Sequence, residues 1–242
     1  MEFDLLLSRQ MLERCGALGL PCVRHEEREA VPPSARMWYS HLESLLNPHV
    51  GQRERETRTM DPSTIIRKET TADIDAITEV TVAAFQTLEI SNNTEQFIIM
   101  ALRAAKGLTV SLVAELDGRV IGHLAFSPVT ISDGTPNWYG LGPVSVLPAH
   151  HRQGIGTALI QEGLSRLKDL GAAGCCVVGH PDYYRKFGFE NPPTLVLEGV
   201  PAEVFFALSF DDSNPEGTVA FHEAFKADVQ QGAEGDAVNR AP

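Results

Sequence analysis

The chain has 242 residues, 43% of them apolar, and a formal net charge of −12. This composition can form a real core and excludes a wholly disordered chain. Residues 61–242 hold 12 basic and 23 acidic residues, a net charge of −11. No general basic surface is therefore available, so we expect neither a nucleic-acid nor an anionic-membrane partner, and cationic substrates stay open.

Cysteine content and apolar runs favour a reduced cytoplasmic protein. Four cysteines in this length do not form a disulfide scaffold, and no apolar run approaches the roughly 18 residues of a membrane span. The N-terminus lacks the basic segment of a secretory signal. Cys15, Cys22 and His25 lack a fourth ligand at suitable spacing, so no metal is expected.

Three zones follow one another along the chain. Residues 1–60 are predicted to be an N-terminal extension, partly helical or disordered, ending in a wholly polar linker at 52–59. Met60 follows the linker and is an alternative start of the native protein, which leaves open whether 1–59 belong to it. Residues 61–210 are predicted to form the domain, and 211–242 a C-terminal segment with a flexible tail.

The apolar periodicity of the central zone predicts a mixed α/β fold. An Asp-Gly step at 117–118 between two apolar runs predicts a β-hairpin. In chain order we expect a strand at Thr64–Lys68, a helix at about 71–85, a helix at Asn93–Ala105, strands at Val110–Leu116, Val120–Phe126 and Tyr139–Leu147, a helix at Gly154–Leu170, a strand at Gly174–Val178 and a helix after it. Beyond 210, we expect Phe221, His222 and Phe225 to pack as a short helix.

One segment carries the strongest chemical signal: VSVLPAHHRQGIGTAL, residues 144–159. Two glycines at a predicted helix start allow close backbone approach, and free N–H groups there favour an anion. No Asp or Glu occurs from Gly134 to Gln161, which supports a phosphate-bearing ligand. A simple tight turn is the alternative. Leu159 rules out a dinucleotide fingerprint, and no Gly-Lys-Ser/Thr step makes a Walker loop.

The segment HRQGIGTALI resembles the acetyl-CoA-binding motif of the GNAT acetyltransferases, with Gly154 and Gly156 at its two small positions. His151 stands where that family commonly has Gln or Arg. LGPVSVLPAHHRQGIG followed by GHPDYYRKFGF is similar to a bacterial branch of predicted N-acetyltransferases, over about residues 64–210. The resemblance implies a GNAT-type fold: a central, mostly antiparallel twisted sheet, splayed at the cofactor site and flanked by helices.

The same resemblance implies site residues. Two strands are expected to part near a β-bulge at Gly142–Val146, where the backbone groups of Val144 and Val146 bind the pantetheine arm and one N–H stabilises the oxyanion. Tyr184, four residues before Gly188, is implied as the general acid for the leaving thiolate, or as a packing residue; its neighbour Tyr183 is expected to pack. The implied cofactor loop comprises His151, Arg152, Gln153, Gly154, Ile155 and Gly156.

The expected activity is acetyl transfer from acetyl-CoA, by direct attack, to a primary amine of an unidentified small molecule or protein. No base is evident: His123 and Glu115 are candidates, and a water chain would need neither. Cys175 and Cys176 are predicted to be structural. The alternatives are an acyl-CoA-binding regulator without turnover and an α/β module for another phosphate. A homodimer is possible.

Overall fold

The computed structural model describes residues 60–86, 94–211 and 213–226. The predicted N-terminal extension, the polar linker and most of the C-terminal tail lie outside these residues. So do Cys15, Cys22 and His25.

Eight strands and four helices form the described part of the chain. The strands are β1 (Ile65–Lys68), β2 (Val110–Leu116), β3 (Arg119–Ile131), β4 (Trp138–Val146), β5 (Gly174–Val178), β6 (Leu195–Leu197), β7 (Phe205–Ser209) and β8 (Gly217–Phe221). The helices are α1 (Ile74–Gln86), α2 (Glu95–Ala104), α3 (Ile155–Asp169) and the single turn α4 (Pro181–Tyr184).

The strands form one sheet in the order β1-β2-β3-β4-β5-β7. β8 pairs with the far end of β3 and with β6. Among these pairs, only β4–β5 and β6–β8 are parallel. The expected mixed α/β fold with a mostly antiparallel sheet is confirmed.

Helices cover both faces of the sheet, as the alternation of side chains along a strand requires. On one face α3 buries Leu159 and Ile160 against Leu112, Leu124 and Phe126. On the other face, Ile77 and Val80 of α1 and Ile99 of α2 pack against Val113 of β2 and Val120 of β3.

Most predicted elements lie within two residues of their observed bounds. β2 and β5 match the prediction at both ends, the hairpin turns at Asp117-Gly118, and β3 continues past Phe126 to Ile131. The helix expected after β5 is the single turn α4.

The end of the domain departs from the prediction. β6, β7 and β8 were not among the expected elements, and the sheet extends to Phe221, past the expected boundary at 210. The short helix expected around Phe221 is wrong in part. Phe221 ends β8 and a 3-10 turn follows at Glu223–Lys226, although the Phe221 and Phe225 rings do pack, 5.0 Å apart.

Candidate active site

β4 and β5 part in the middle of the sheet. Their parallel pairing runs only from Trp138–Gly174 to Gly140–Cys176, and β5 continues beside β7 instead. The register of β3 against β4 also shifts, because Leu124 opposes Val144 while Phe126 opposes Leu141. Two residues of β4, Gly142 and Pro143, thus face one residue of β3, which is a β-bulge. The bulge and the splay both lie where they were expected.

The backbone of β4 presents polar groups to this gap that β5 leaves unpaired. The N–H of Leu147 donates to the carbonyl of Ile121 on β3 (2.9 Å). Because backbone polar groups alternate in direction along a strand, those of Ser145 also face β3, whereas those of Val144 and Val146 face the gap. A ligand with amide groups could pair with them as an added strand does.

The loop after β4 leads straight into α3. It makes a 3-10 turn at Pro148–His150 and then uses two left-handed residues, Arg152 (φ 61°) and Gly154 (φ 81°). The first α3 bond runs from Ala158 N–H to the Gly154 carbonyl (2.9 Å). The N–H groups of residues 155–157 therefore lack acceptors within the helix and lie at its positive end, which suits an anion.

His151 stabilises this loop rather than offering its ring to a ligand. Its Nε2 lies 2.8 Å from the carbonyl oxygen of Val146, and since a carbonyl only accepts, Nε2 carries the proton. Gln153 Nε2 similarly donates to the Ala149 carbonyl (3.1 Å). The side chain of Arg152 is exposed and is the loop's own cation.

A second wall of the site comes from the motif after β5, and sequence reasoning did not predict it. The Tyr183 hydroxyl bonds the side chain of Thr157, and a Cβ at Gly156 would lie 2.8 Å from that hydroxyl. Lys186 Nζ lies 3.2 Å from Thr157 Oγ1 and 3.9 Å from the centre of the Tyr183 ring. An ammonium group thus stands at the positive end of α3, an arrangement that an anion between them would stabilise.

Tyr184 lies deeper in the molecule than Tyr183. It is 7% exposed and packs edge-on against Tyr183 and Phe189, with ring centres 5.2 and 5.9 Å away. Gly179 gives it room, because a Cβ there would overlap the ring. Burial raises the pKa of the Tyr184 phenol, which keeps it protonated across the neutral range.

The two candidate bases have different surroundings. Glu115 is bound by the Arg67 guanidinium at 2.6 Å, which leaves it engaged in an ion pair. His123 is fully buried, with Nε2 2.9 Å from Ser111 Oγ. Cys175 and Cys176 are buried, and burial raises the pKa of both thiols, which is the environment expected of structural cysteines.

No group of three or more His, Cys, Asp or Glu side chains in 60–86, 94–211 and 213–226 is placed to hold a metal ion. None of the helices described in those ranges combines the length and apolar character needed to cross a bilayer.

A strand gap that continues into a helix N-terminus suits an extended ligand ending in phosphates. Comparison with known proteins identifies the class. The model of the acetyltransferase (GNAT) family matches residues 74–189. A GNAT family acetyltransferase from Brucella melitensis, crystallised with acetyl-CoA, is 50% identical; the match covers 67% of this chain and 97% of that one, with a TM-score of 0.61. The chain therefore belongs to the GNAT family and is an acyltransferase.

Two further comparisons agree. The crystal structure of Escherichia coli YhbS, a GNAT family N-acetyltransferase in complex with CoA, is 31% identical over 70% of this chain and 97% of that chain (TM-score 0.63). The curated sequence of the uncharacterized N-acetyltransferase YhbS from Escherichia coli K12 is 38% identical over 100 residues, 41% of this chain. That match spans 60% of the relative's length.

Proposed function

We propose that this protein transfers an acetyl group from acetyl-CoA to a primary amine of a small molecule or protein, by direct attack of the amine. The observation that carries the proposal is the continuity of the site. The backbone edge at Val144 and Val146, which β5 leaves unpaired, leads through one short loop to the first turn of α3. Related GNAT proteins of known structure hold acetyl-CoA or CoA. The residues of this chain fit such a co-substrate.

Each part of the site has a matching role. The backbone groups of Val144 and Val146 bind the amide groups of the pantetheine arm, and one of their N–H groups stabilises the negative charge that develops on the thioester oxygen. The first-turn N–H groups of Ile155 and Gly156, with Gly154 keeping the approach open, bind phosphate oxygens. His151 and Gln153 hold the loop in place through hydrogen bonds to backbone carbonyls, and Arg152 supplies its positive charge.

Tyr184 is proposed as the general acid. In the transfer, the amine nitrogen bonds to the acetyl carbon and gives up one proton to a base or a water chain, and the carbon–sulfur bond breaks. Tyr184 gives its hydroxyl proton to the departing sulfur and regains a proton from water afterwards. Because burial raises the pKa of Tyr184, its phenol stays protonated at neutral pH and can donate that proton to the sulfur. The same low-polarity surroundings also disfavour a free thiolate, which offsets the effect of burial on the phenol.

The acceptor is proposed to be a cationic amine in its resting form. Residues 61–242 carry a net −11, and such a field raises the local concentration of cations. The cofactor loop itself adds no negative charge, because no acidic residue occurs between Gly134 and Gln161. The two substrates thus meet surfaces of opposite charge.

The test combines binding and turnover. Calorimetry measures the affinity for acetyl-CoA, and a thiol-release assay with polyamines, aminoglycosides and short peptides with a free N-terminus measures transfer. Tyr184→Phe is expected to lower kcat about 100-fold with an unchanged Kd for acetyl-CoA. Tyr183→Phe is the matched control and should keep kcat within a few-fold while weakening binding.

Two outcomes would contradict the proposal. Binding of acetyl-CoA without release of CoA to any amine would identify a regulatory protein. An unchanged kcat for Tyr184→Phe would remove Tyr184 from the chemistry and leave the transfer itself standing.

A further inference from the structure

A buried chain of polar groups lies under β3, on the face covered by α1 and α2. Glu69, just after β1, accepts a hydrogen bond from the Ser111 hydroxyl on β2 (2.6 Å). Ser111 Oγ lies 2.9 Å from Nε2 of His123 on β3, and His123 Nε2 lies 3.7 Å from Glu69 Oε2. His123 is 0% exposed, so any water that contacts its ring is enclosed within the protein.

The hydrogen bonds among Glu69, Ser111 and His123 determine which nitrogen of His123 carries the proton. Ser111 has one hydroxyl proton, and Glu69, an ionised carboxylate, can only accept, so that proton points to Glu69. Ser111 Oγ must then accept from His123, which places the ring proton on Nε2. The basic lone pair of the imidazole is therefore on Nδ1.

Nδ1 is buried and has no hydrogen-bond partner among the described residues. A lone pair in that position is costly unless a bound water satisfies it. His123 stands directly opposite Ser145 in the β3–β4 register, and Ser145 lies between Val144 and Val146, the residues that face the splay. The Ser145 hydroxyl is 3.4 Å from that of Thr81 on α1, so further hydroxyl groups border the same buried region.

The charges around His123 come from two sides. Glu69 favours the protonated ring and Arg103 of α2, which binds Glu69 at 2.9 Å, disfavours it. Arg67 on β1, paired with Asp73 and Glu115, is the next charged group on this face. Burial is the largest effect and lowers the pKa of His123, so the ring is neutral at pH 7.

We propose that His123 accepts, through a bound water, the proton that the attacking amine loses, and that Ser111 and Glu69 position it for this role. The amine N–H bond breaks, the proton passes through the water to Nδ1, and Glu69 stabilises the resulting imidazolium through Ser111. This inference rests on the proposed acetyl transfer. It assigns the base that the transfer requires and that the site near β4 lacks.

The first experiment is a pH profile of kcat, with the amine that releases CoA fastest. For the unchanged protein we expect kcat to fall as pH drops through a pKa below 6.5, because His123 becomes protonated. His123→Gln keeps a donor toward Ser111 and lacks the basic lone pair. This variant should have a kcat about 100-fold lower at pH 7.5 and an unchanged KM for acetyl-CoA. Its kcat should no longer fall with the protonation of His123 at low pH.

The matched control is Ser127→Ala. Ser127 is a buried serine on the same strand whose hydroxyl also has no partner among the described residues, so its removal should leave both kcat and the profile unchanged. His123→Gln with wild-type kcat and an intact acidic limb would overturn the inference. If Ser127→Ala lowered kcat and altered the pH profile as His123→Gln is expected to do, the cause would be general repacking, and the inference would also be overturned.

A second measurement needs no acceptor. Nitrogen NMR of the histidine-labelled full chain should show His123 protonated at Nε2 and bare at Nδ1, and Ser111→Ala should mix the two tautomers. A proton on Nδ1 in the unchanged protein would overturn the inference even if no amine reacts. Failure of every amine with the unchanged protein would instead contradict the proposed function, so the two failures are distinguishable.

Discussion

Two adjacent tyrosines have different surroundings. Tyr183 and Tyr184 lie on one helical turn, where neighbouring residues point about 100° apart. Tyr183 extends over Gly156 and Thr157, whereas Tyr184 turns into the core against Phe189. Tyr183 therefore borders the proposed phosphate end of the site, whereas Tyr184 is buried.

Gly156 tests the phosphate end. A Cβ there would lie 2.8 Å from the Tyr183 hydroxyl, so Gly156→Ala must push the phenol away and also narrow the approach to the first-turn N–H groups. We expect the Kd for acetyl-CoA to rise about tenfold, equivalent to about 1.4 kcal/mol. Calorimetry measures the affinity, and thermal unfolding measures the cost to the fold.

The double variant Gly156→Ala/Tyr183→Phe separates the two effects. Removing the phenol oxygen should restore thermal stability and leave the affinity low. Full recovery of affinity would show that Tyr183 alone sets the space over Gly156. An unchanged Kd in the single variant would contradict the placement of phosphate at this turn.

Sequence patterns identified part of this site and missed the rest for a physical reason. The GxG step and the acid-free segment are local, so the loop from His151 to Gly156 could be predicted. Lys186 and Thr157 meet only because α4 returns to the start of α3, 29 residues away along the chain. The bond from His151 to Val146 depends on loop geometry, which composition does not encode.

At the scale of elements, one carboxylate ties three of them together. Glu69 follows β1 and is bound by Arg103 of α2 and Ser111 of β2. Burial alone would raise the pKa of Glu69, but hydrogen bonds from His123, Arg103 and Ser111 together lower it to about 2. The edge strand is thereby fixed to the helix that covers it.

Glu69 should therefore stabilise the fold in a pH-dependent way. A carboxyl whose pKa falls from 4.5 to about 2 on folding contributes about 3 kcal/mol above pH 4.5, and this contribution is lost as pH falls towards 2. Glu69→Gln should lower the free energy of unfolding at pH 7 by about that amount. The difference from the unchanged protein should narrow between pH 4.5 and 2.

Urea unfolding at several pH values measures this difference. Glu162→Gln is the matched control, because Glu162 forms an exposed pair with Arg166 on one helix turn and such pairs contribute little. If the free energies of unfolding of the unchanged protein and Glu69→Gln differed by the same amount at every pH, the stabilisation by Glu69 would not be electrostatic.

The elements themselves were largely predictable where their signals are local and long. The Asp-Gly turn between two apolar runs predicted the β2–β3 hairpin, and the periodic stripe of residues 155–169 predicted α3. β6 has three residues and β8 five, and both acquire their strand conformation from pairing with each other and, for β8, with β3. Such strands carry too little periodicity to be recognised before their partners are known.

At the scale of the whole molecule, β8 completes the part of the sheet beyond the site. It pairs with β3 at Val129–Ile131 and with β6, and its Val219 is 2% exposed within a cluster that includes Trp138 and Phe205. Phe221 also packs over Gly140, the last residue of β4 that pairs with β5. The residues after 210 thus support the strand on which the splay begins.

Shortening the chain tests this dependence. A chain ending at residue 210 loses β8 and exposes Val129 and Ile131. It should unfold on the order of 10 °C below the full chain, because lost apolar burial lowers the free energy of unfolding, and each kcal/mol of that loss lowers Tm by about 2–4 °C in a chain of this size. A chain ending at residue 226 keeps β8 and should retain the Tm of the full chain. Thermal unfolding with and without acetyl-CoA measures both, and an equal Tm for the two shortened chains would show that the domain ends at 210.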